Sequence, residues 1–186
     1  RLREICTAHD ILLIFDEVIT AFGRSGATTG AEAFGVTPDI MNVAKQITNG
    51  AVPMGAVIAT GEIFDTFMHA GGAQHAIEFP HGYTYSAHPV ACAAGLAALE
   101  MMERENFPAQ VNAIAPLFEQ KLHALKGHNH IVDIRNYGLA GALQLAPRNG
   151  DPTIRPRDAH MALWEAGFYV RYGGDTLQFG PPFGTT

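Results

Sequence analysis

The chain has little of what marks several protein classes. It holds only two cysteines and one tryptophan in 186 residues. Cys6 and Cys92 form no CxxC pair, which removes the usual redox and zinc motifs, and both thiols suit a reduced cytoplasmic interior. Charge is sparse too: Asp, Glu, Lys and Arg make up 16%, with a net charge of −6 and a pI near 5.8. A nucleic-acid partner, which needs a basic face, is not expected. No apolar run reaches the roughly 20 residues of a membrane span and no signal peptide opens the chain, so no membrane partner is expected either. Repeats and low-complexity tracts are absent.

What the chain does have is apolar substance, 47% of its residues, enough for one large domain or one domain and part of another. Its ends suggest a fragment of a longer protein. Arg1-Leu2-Arg3-Glu4-Ile5-Cys6 reads as the last turns of a helix already under way. Gly180-Pro181-Pro182-Phe183-Gly184-Thr185-Thr186 follows a strand with no closing element.

Ile11-Leu12-Leu13-Ile14-Phe15-Asp16 is a continuous apolar run, the pattern of a parallel strand buried on both faces. Met41-Asn42-Val43-Ala44 and Ala56-Val57-Ile58-Ala59 are shorter runs of the same kind, separated by Gly- and Pro-rich turns. Short helices are expected over 31–34 and 61–67. Residues 68–87 are too long and irregular for an ordinary connection, which marks them as functional. A helix over 88–104 carries Leu96, Leu99 and Met102 as its apolar stripe, while Ala91, Ala93, Ala94, Gly95, Ala97 and Ala98 permit close packing; Phe107-Pro108 breaks it, and a second helix follows to about residue 125. After Gly127 the pattern predicts strands at 131–136 and 140–145, a helix at 157–166, and strands at 168–172 and 176–179. A domain boundary falls near residue 106.

The chemistry rests on two strand ends. The first run finishes in Asp16-Glu17-Val18, and alternation sends Ile14, Asp16 and Val18 to one side and Phe15 and Glu17 to the other. The second apolar run delivers Lys45 before the flexible Gln46-Ile47-Thr48-Asn49-Gly50. A carboxylate and a lysine presented at the ends of buried strands are what a pyridoxal 5′-phosphate (PLP) enzyme requires. The carboxylate keeps a proton on the pyridine nitrogen, and a desolvated, neutral amine forms the Schiff base and shuttles a proton. Taken singly, Asp16 is equally a turn cap and Lys45 a solvated surface residue; the pair is far more specific.

The sequence resembles the class III (omega) aminotransferases. The matching stretches are Leu13-Ile14-Phe15-Asp16-Glu17-Val18, Phe22-Gly23-Arg24-Ser25-Gly26, Pro38-Asp39-Ile40, Ala44-Lys45, Gly50-Ala51-Val52-Pro53-Met54-Gly55-Ala56 and His81-Gly82-Tyr83-Thr84-Tyr85-Ser86-Ala87-His88-Pro89. Within the class they look most like the branch that pairs beta-alanine and other omega-amines with pyruvate. The resemblance implies an α/β, fold type I PLP-dependent transferase. Residues 1–106 would be the C-terminal half of the large, mostly parallel-sheet domain, and 107–186 a truncated small α+β domain. It implies that Asp16 binds the pyridine nitrogen, Val18 stacks on the ring and Lys45 carries the cofactor as an internal aldimine. Thr84 would reach the cofactor phosphate of a neighbouring subunit, which requires a homodimer or a dimer of dimers. The reaction implied is a ping-pong transamination between an amine donor and a keto-acid acceptor.

Two positions depart from the class. Where several members have a Gln that contacts the cofactor hydroxyl, Ile19 stands; where many have a substrate-binding Arg before Pro-Pro, Gln178 stands. The omega-transaminases use an earlier arginine, which points to Arg171 in Val170-Arg171-Tyr172-Gly173-Gly174-Asp175 as the partner of the substrate carboxylate. Its bland alternative is a salt bridge with Asp175 or another acid. The nine histidines, including His128, His130 and the 69/75/81/88 series, fall in no HExxH or CxxC context, so no metal is expected. Gly71-Gly72 and Gly23-x-x-Gly26 fit neither nucleotide-binding spacing. The rival readings are another PLP chemistry on the same scaffold (an aminomutase, epimerase or decarboxylase) and a catalytically incomplete fragment.

Overall fold

A computed structural model describes residues 1–70, 72–76 and 82–185. The chain divides into two compact units, Arg1–Phe22 with Ala27–Asn106, and Gly23–Gly26 with Phe107–Thr186. Among the described residues no helix is long and apolar enough to cross a membrane.

The first unit opens with α1 (Leu2–Ala8) and is built on β1 (Ile14–Asp16), β2 (Ile40–Ala44) and β3 (Gly55–Ala59), in that spatial order. β1 and β2 run parallel; β3 returns antiparallel, so this part of the sheet is mixed. The parallel pair needs a crossover, which carries the short helix α2 (Gly30–Phe34). Beneath β2 lies a small core of Ala21, Val43 and Ile47, with Phe22, Met41, Met54 and Ala56 packed against it.

Two expectations need correction here. The first strand is not a six-residue run buried on both faces; it starts at Ile14, and Leu12 and Ile14 are 58% and 53% exposed. The strand is shortened because the Asp39 carboxylate takes the Leu13 amide at 2.6 Å. It stays open because β1 is the edge of its sheet, with a neighbour on one side only. The long helix α4 (Pro89–Glu105) forms as the alanine-rich run predicts and packs through small residues expected to permit close approach, but its leucine stripe is not the buried side. Ala91 and Gly95 are its buried residues, while Leu96 is 63% exposed. At Gly95 a Cβ would sit 3.4 Å from Met54 Sδ and 3.5 Å from the Ile47 carbonyl oxygen. Small side chains decide which face can approach, and the leucines are left outside. Between these elements α3 (Gly61–His69) follows β3. Gly71, His81 and residues 77–80 of the irregular stretch lie outside the described residues.

α4 ends at Asn106 in a left-handed conformation (φ 50°). Phe107-Pro108 therefore opens α5 (Phe107–His123) rather than breaking α4, proline being tolerated in a first turn where no amide partner is needed. The second unit then forms the antiparallel sheet β4-β5-β7-β6 from β4 (Ile131–Tyr137), β5 (Ala140–Leu145), β7 (Thr176–Phe179) and β6 (Arg171–Gly173), with α6 (Ile154–Glu165) between β5 and β6. The helix face of this sheet carries Leu143 and Leu177 packed on Leu122 of α5, with Phe118, Ala159 and Val170 around them. Each fully buried leucine contributes about 2 kcal/mol. Gly141 has no room for a side chain: a Cβ would meet Leu122 Cδ2 at 2.7 Å.

The Phe22-Gly23-Arg24-Ser25-Gly26 motif contributes its Gly23–Gly26 part to this second unit. Arg24 Nη1 donates to the carbonyl oxygens of Leu139 (3.2 Å) and Pro181 (2.5 Å), and its guanidinium lies 4.5 Å from the centre of the Phe183 ring. The Leu139 amide donates back to the Arg24 carbonyl at 3.1 Å. Burial lowers the Arg24 pKa without a neighbouring cation being involved.

Candidate active site

In the parallel pair, Ile14, Phe15 and Asp16 stand opposite Ile40, Met41 and Asn42. Parallel strands finish at the same edge of a sheet, so Asp16, the last residue of β1, and Lys45, the first after β2, both emerge there. Both side chains are exposed at that edge. Asp16 Oδ1 accepts from the Val18 amide at 3.1 Å, a local turn that fixes the carboxylate. Oδ2 has no hydrogen-bond partner among the described residues. Val18 follows in the turn, half-buried, and Ile19 beyond it is exposed.

Glu17, which alternation turns the other way, is what holds this strand end. It is 2% exposed and accepts from the amides of Gly30 (2.7 Å) and Ala31 (2.8 Å) and from Thr20 Oγ1 (2.8 Å). Two of these donors are the free amides at the start of α2, where a carboxylate is favoured by the helix dipole as well. Gly30 suits this close approach, since a Cβ would lie 3.1 Å from Glu17 Oε1 and press on the carboxylate. Thr29 caps the same helix, its Oγ1 accepting from the Glu32 amide at 3.0 Å, while Glu32 Oε2 accepts from the Thr28 amide at 2.8 Å. Sequence reading gave Glu17 no role; the Thr29-x-x-Glu32 spacing is the signal that a helix start lies nearby to receive it.

Lys45 sits in the left-handed region, φ 50°, at the point where β2 becomes a 3-10 turn (Lys45–Thr48). For a residue with a side chain this costs on the order of 1–2 kcal/mol, and such costs gather at functional sites. The turn is held from below by buried Ile47 and Thr48, by Thr48 Oγ1 donating to the Val52 carbonyl at 2.6 Å, and by Ala91 and Gly95 of α4. The lysine itself is exposed, so the desolvation expected from its apolar lead-in is not supplied by these residues.

Thr84 lies in an exposed turn (84–87) just ahead of α4 and makes no hydrogen bond among the described residues. It belongs to the first unit with Asp16, Val18 and Lys45, but the fold does not bond it to them. His81, part of its motif, lies outside the described residues.

Arg171 belongs to the second unit, first residue of β6 and opposite Gln178 of β7. It is exposed and makes no ion pair among the described residues. The alternative salt bridge with Asp175 does not form; that carboxylate accepts from Gln144 Nε2 at 2.6 Å instead. Alternation puts Arg171 and Gly173 on the polar side of the sheet with Gln178, whose Nε2 would be 2.9 Å from a Cβ at Gly173. No group of three or more His, Cys, Asp or Glu side chains able to hold a metal ion occurs among the described residues.

The Aminotransferase class-III family matches residues 1–186. The beta-alanine–pyruvate aminotransferase of Pseudomonas aeruginosa is 69% identical over 183 residues, covering 98% of this chain and 41% of the relative. The omega-amino acid–pyruvate aminotransferase of Pseudomonas putida is 65% identical over the same shares. Among solved structures, an amine transaminase from an uncultivated Pseudomonas species in its PLP-bound form has a TM-score of 0.90 and 39% identity, over all of this chain and 43% of that one. An (S)-enantioselective omega-transaminase from Thermomicrobium roseum has a TM-score of 0.89 and 32% identity, over all of this chain and 42% of that one. The chain thus spans about two-fifths of the length of the relatives it matches, 41% for the first two. Its α/β architecture is that of the fold type I transaminases, and the chain belongs to the aminotransferase class-III family.

Proposed function

We propose that the protein is a PLP-dependent aminotransferase that moves the amino group of an omega-amino acid or amine, such as beta-alanine, to pyruvate. The observation that carries this is the emergence of Asp16 and Lys45 at one edge of the parallel pair, Lys45 on a strained and well-supported turn. The residues fit the cofactor. Asp16 offers a carboxylate oxygen with no partner among the described residues, and Lys45 an amine with none. When bound, PLP supplies an electron sink for the carbon that loses its proton.

Asp16 would hold the proton on the pyridine nitrogen, and Glu17, anchored to α2, keeps Asp16 at that position. Val18 would pack against the ring. Lys45 Nζ would hold the cofactor and would take the proton from the donor carbon that bears nitrogen. Thr84 would donate its hydroxyl to the cofactor phosphate held by a second copy of the chain, which calls for a homodimer or dimer of dimers as the working form. Arg171 receives the substrate carboxylate through two parallel N–H donors. Residues 1–106 serve as the C-terminal half of the large domain and 107–186 belong to the small domain. Two free thiols, Cys6 and Cys92, support a cytoplasmic location.

The test is an absorbance titration of the full-length protein loaded with PLP. Beta-alanine is expected to bleach the visible band and pyruvate to restore it, and Lys45→Ala is expected to show no such band. A band indifferent to both compounds would retire this substrate pair in favour of another PLP chemistry. Absence of any band would retire the enzyme.

A further inference from the structure

We propose that His160 is a positioning residue for Arg171, fixing the strand entry from which Arg171 meets the carboxylate of the substrate. This rests on the reading of Arg171 given above. His160 lies on α6, and its Nδ1 is 2.6 Å from the carbonyl oxygen of Val170, the residue before Arg171. A carbonyl only accepts, so Nδ1 carries the proton and donates. The imidazole also packs against the tyrosines on either side: Tyr172 at 5.0 Å between ring centres and Tyr169 at 5.9 Å, the latter edge-on. Trp164, one turn along α6, backs Tyr169 at 6.1 Å.

One side chain therefore touches residues 169, 170 and 172, every neighbour of Arg171 on its own segment except Gly173. The hold matters because β6 is short, three residues, and sits at the edge of its sheet with β7 alone beside it. Val170 O bonds to the ring and not to a neighbouring strand, which is also why the strand expected from 168 begins only at Arg171. With Tyr172 drawn to the helix side, alternation directs Arg171 to the other side, where it is exposed and has no ion pair among the described residues. His160 thus sets the direction of a cation it does not touch.

The experiment uses the full-length PLP holoenzyme in the first half-reaction, without acceptor, so that only the donor varies. Beta-alanine and propylamine, an amine without a carboxylate, are compared. In His160→Phe, which keeps a ring and loses the donor, apparent affinity for beta-alanine is expected to fall on the order of tenfold with the maximal rate held, as for one lost hydrogen bond. Propylamine is expected to be unaffected. His160→Asn, whose amide donates from near the Nδ1 position, is expected to restore most of the affinity. His160→Leu runs beside the Phe variant, so a folding failure of one leaves the other. In an Arg171→Ala background, His160→Phe is expected to add nothing. If Arg171→Ala weakens beta-alanine selectively and neither His160 variant does, or if they weaken both donors alike, the positioning role is overturned. If Arg171→Ala is itself unselective, the carboxylate reading of Arg171 falls first.

Discussion

A carboxylate removed from water needs donors in place of those it gave up, and Glu17 finds three of them in two backbone amides and one hydroxyl. Both oxygens accept from amides, so Glu17→Gln would turn an NH2 group toward an N–H and leave two donors facing each other. Glu17→Gln is therefore expected to cost about 3 kcal/mol, nearly as much as Glu17→Ala, read as the urea midpoint of the full-length protein. Equal stability of Glu17→Gln and wild type would show that α2 has other anchors. Asp39 makes a different prediction. The Arg3 guanidinium at 2.6 Å, and after it the Leu13 amide, hold its carboxyl below the ordinary aspartate range. A depressed folded pKa stabilises above the unfolded value and loses that contribution as pH falls through the folded one. The unfolding temperature of wild type is thus expected to fall below about pH 4 more steeply than that of Asp39→Asn. Parallel curves would sink the assignment.

At the level of elements, the turn that carries Lys45 has a counterpart in the helix behind it. Gly95 lets α4 approach the Ile47 carbonyl; a Cβ alone would fit, 3.5 Å from that oxygen, but the branches of a valine would press on the carbonyl or on Met54. Gly95→Val is expected to lower the PLP content of the purified protein several-fold, measured by visible absorbance per chain, while its far-ultraviolet dichroism stays near wild type. Unchanged loading would mean that Lys45 does not depend on α4. This contact also shows what periodicity can and cannot tell. The apolar runs located β2, β3 and the helix at 89–105 to within a residue or two, because those patterns are local. The small residues that permit close packing, Ala91 and Gly95 among them, are the ones buried, while the stripe of longer apolar side chains stays outside because close approach rewards the small. The emergence of Asp16 and Lys45 at one sheet edge is legible in the sequence, since Asp16 ends one apolar run and Lys45 directly follows another. Glu17 was not, because its partners are backbone amides at Gly30 and Ala31. Nor was His160, a lone histidine on a helix whose contacts lie ten residues on.

Across the whole molecule the sequence boundary near 106 and the physical grouping of residues differ at one place. Gly23–Gly26 groups with Phe107–Thr186, although eighty residues or so of the first unit intervene. Arg24 binds the Leu139 and Pro181 carbonyls and covers Phe183, and Gly138 (φ 53°) leaves only enough room for this, since a Cβ there would come 2.4 Å from the Arg24 carbonyl oxygen. Gly138→Ala is expected to destabilise the full-length protein by about 2 kcal/mol or more, read by denaturant unfolding. A neutral result would show that the loop yields.

The excursion of Arg24 also bears on how such a gene can be cut and joined. The C-terminal unit is not a portable cassette: a fission or a family-to-family recombination at codon 106 would separate it from a plug encoded far upstream. Offspring of such a crossover inherit Gly138, Pro181 and Phe183 from one parent and Arg24 from the other, so only parents matched at those positions yield a folded chimera.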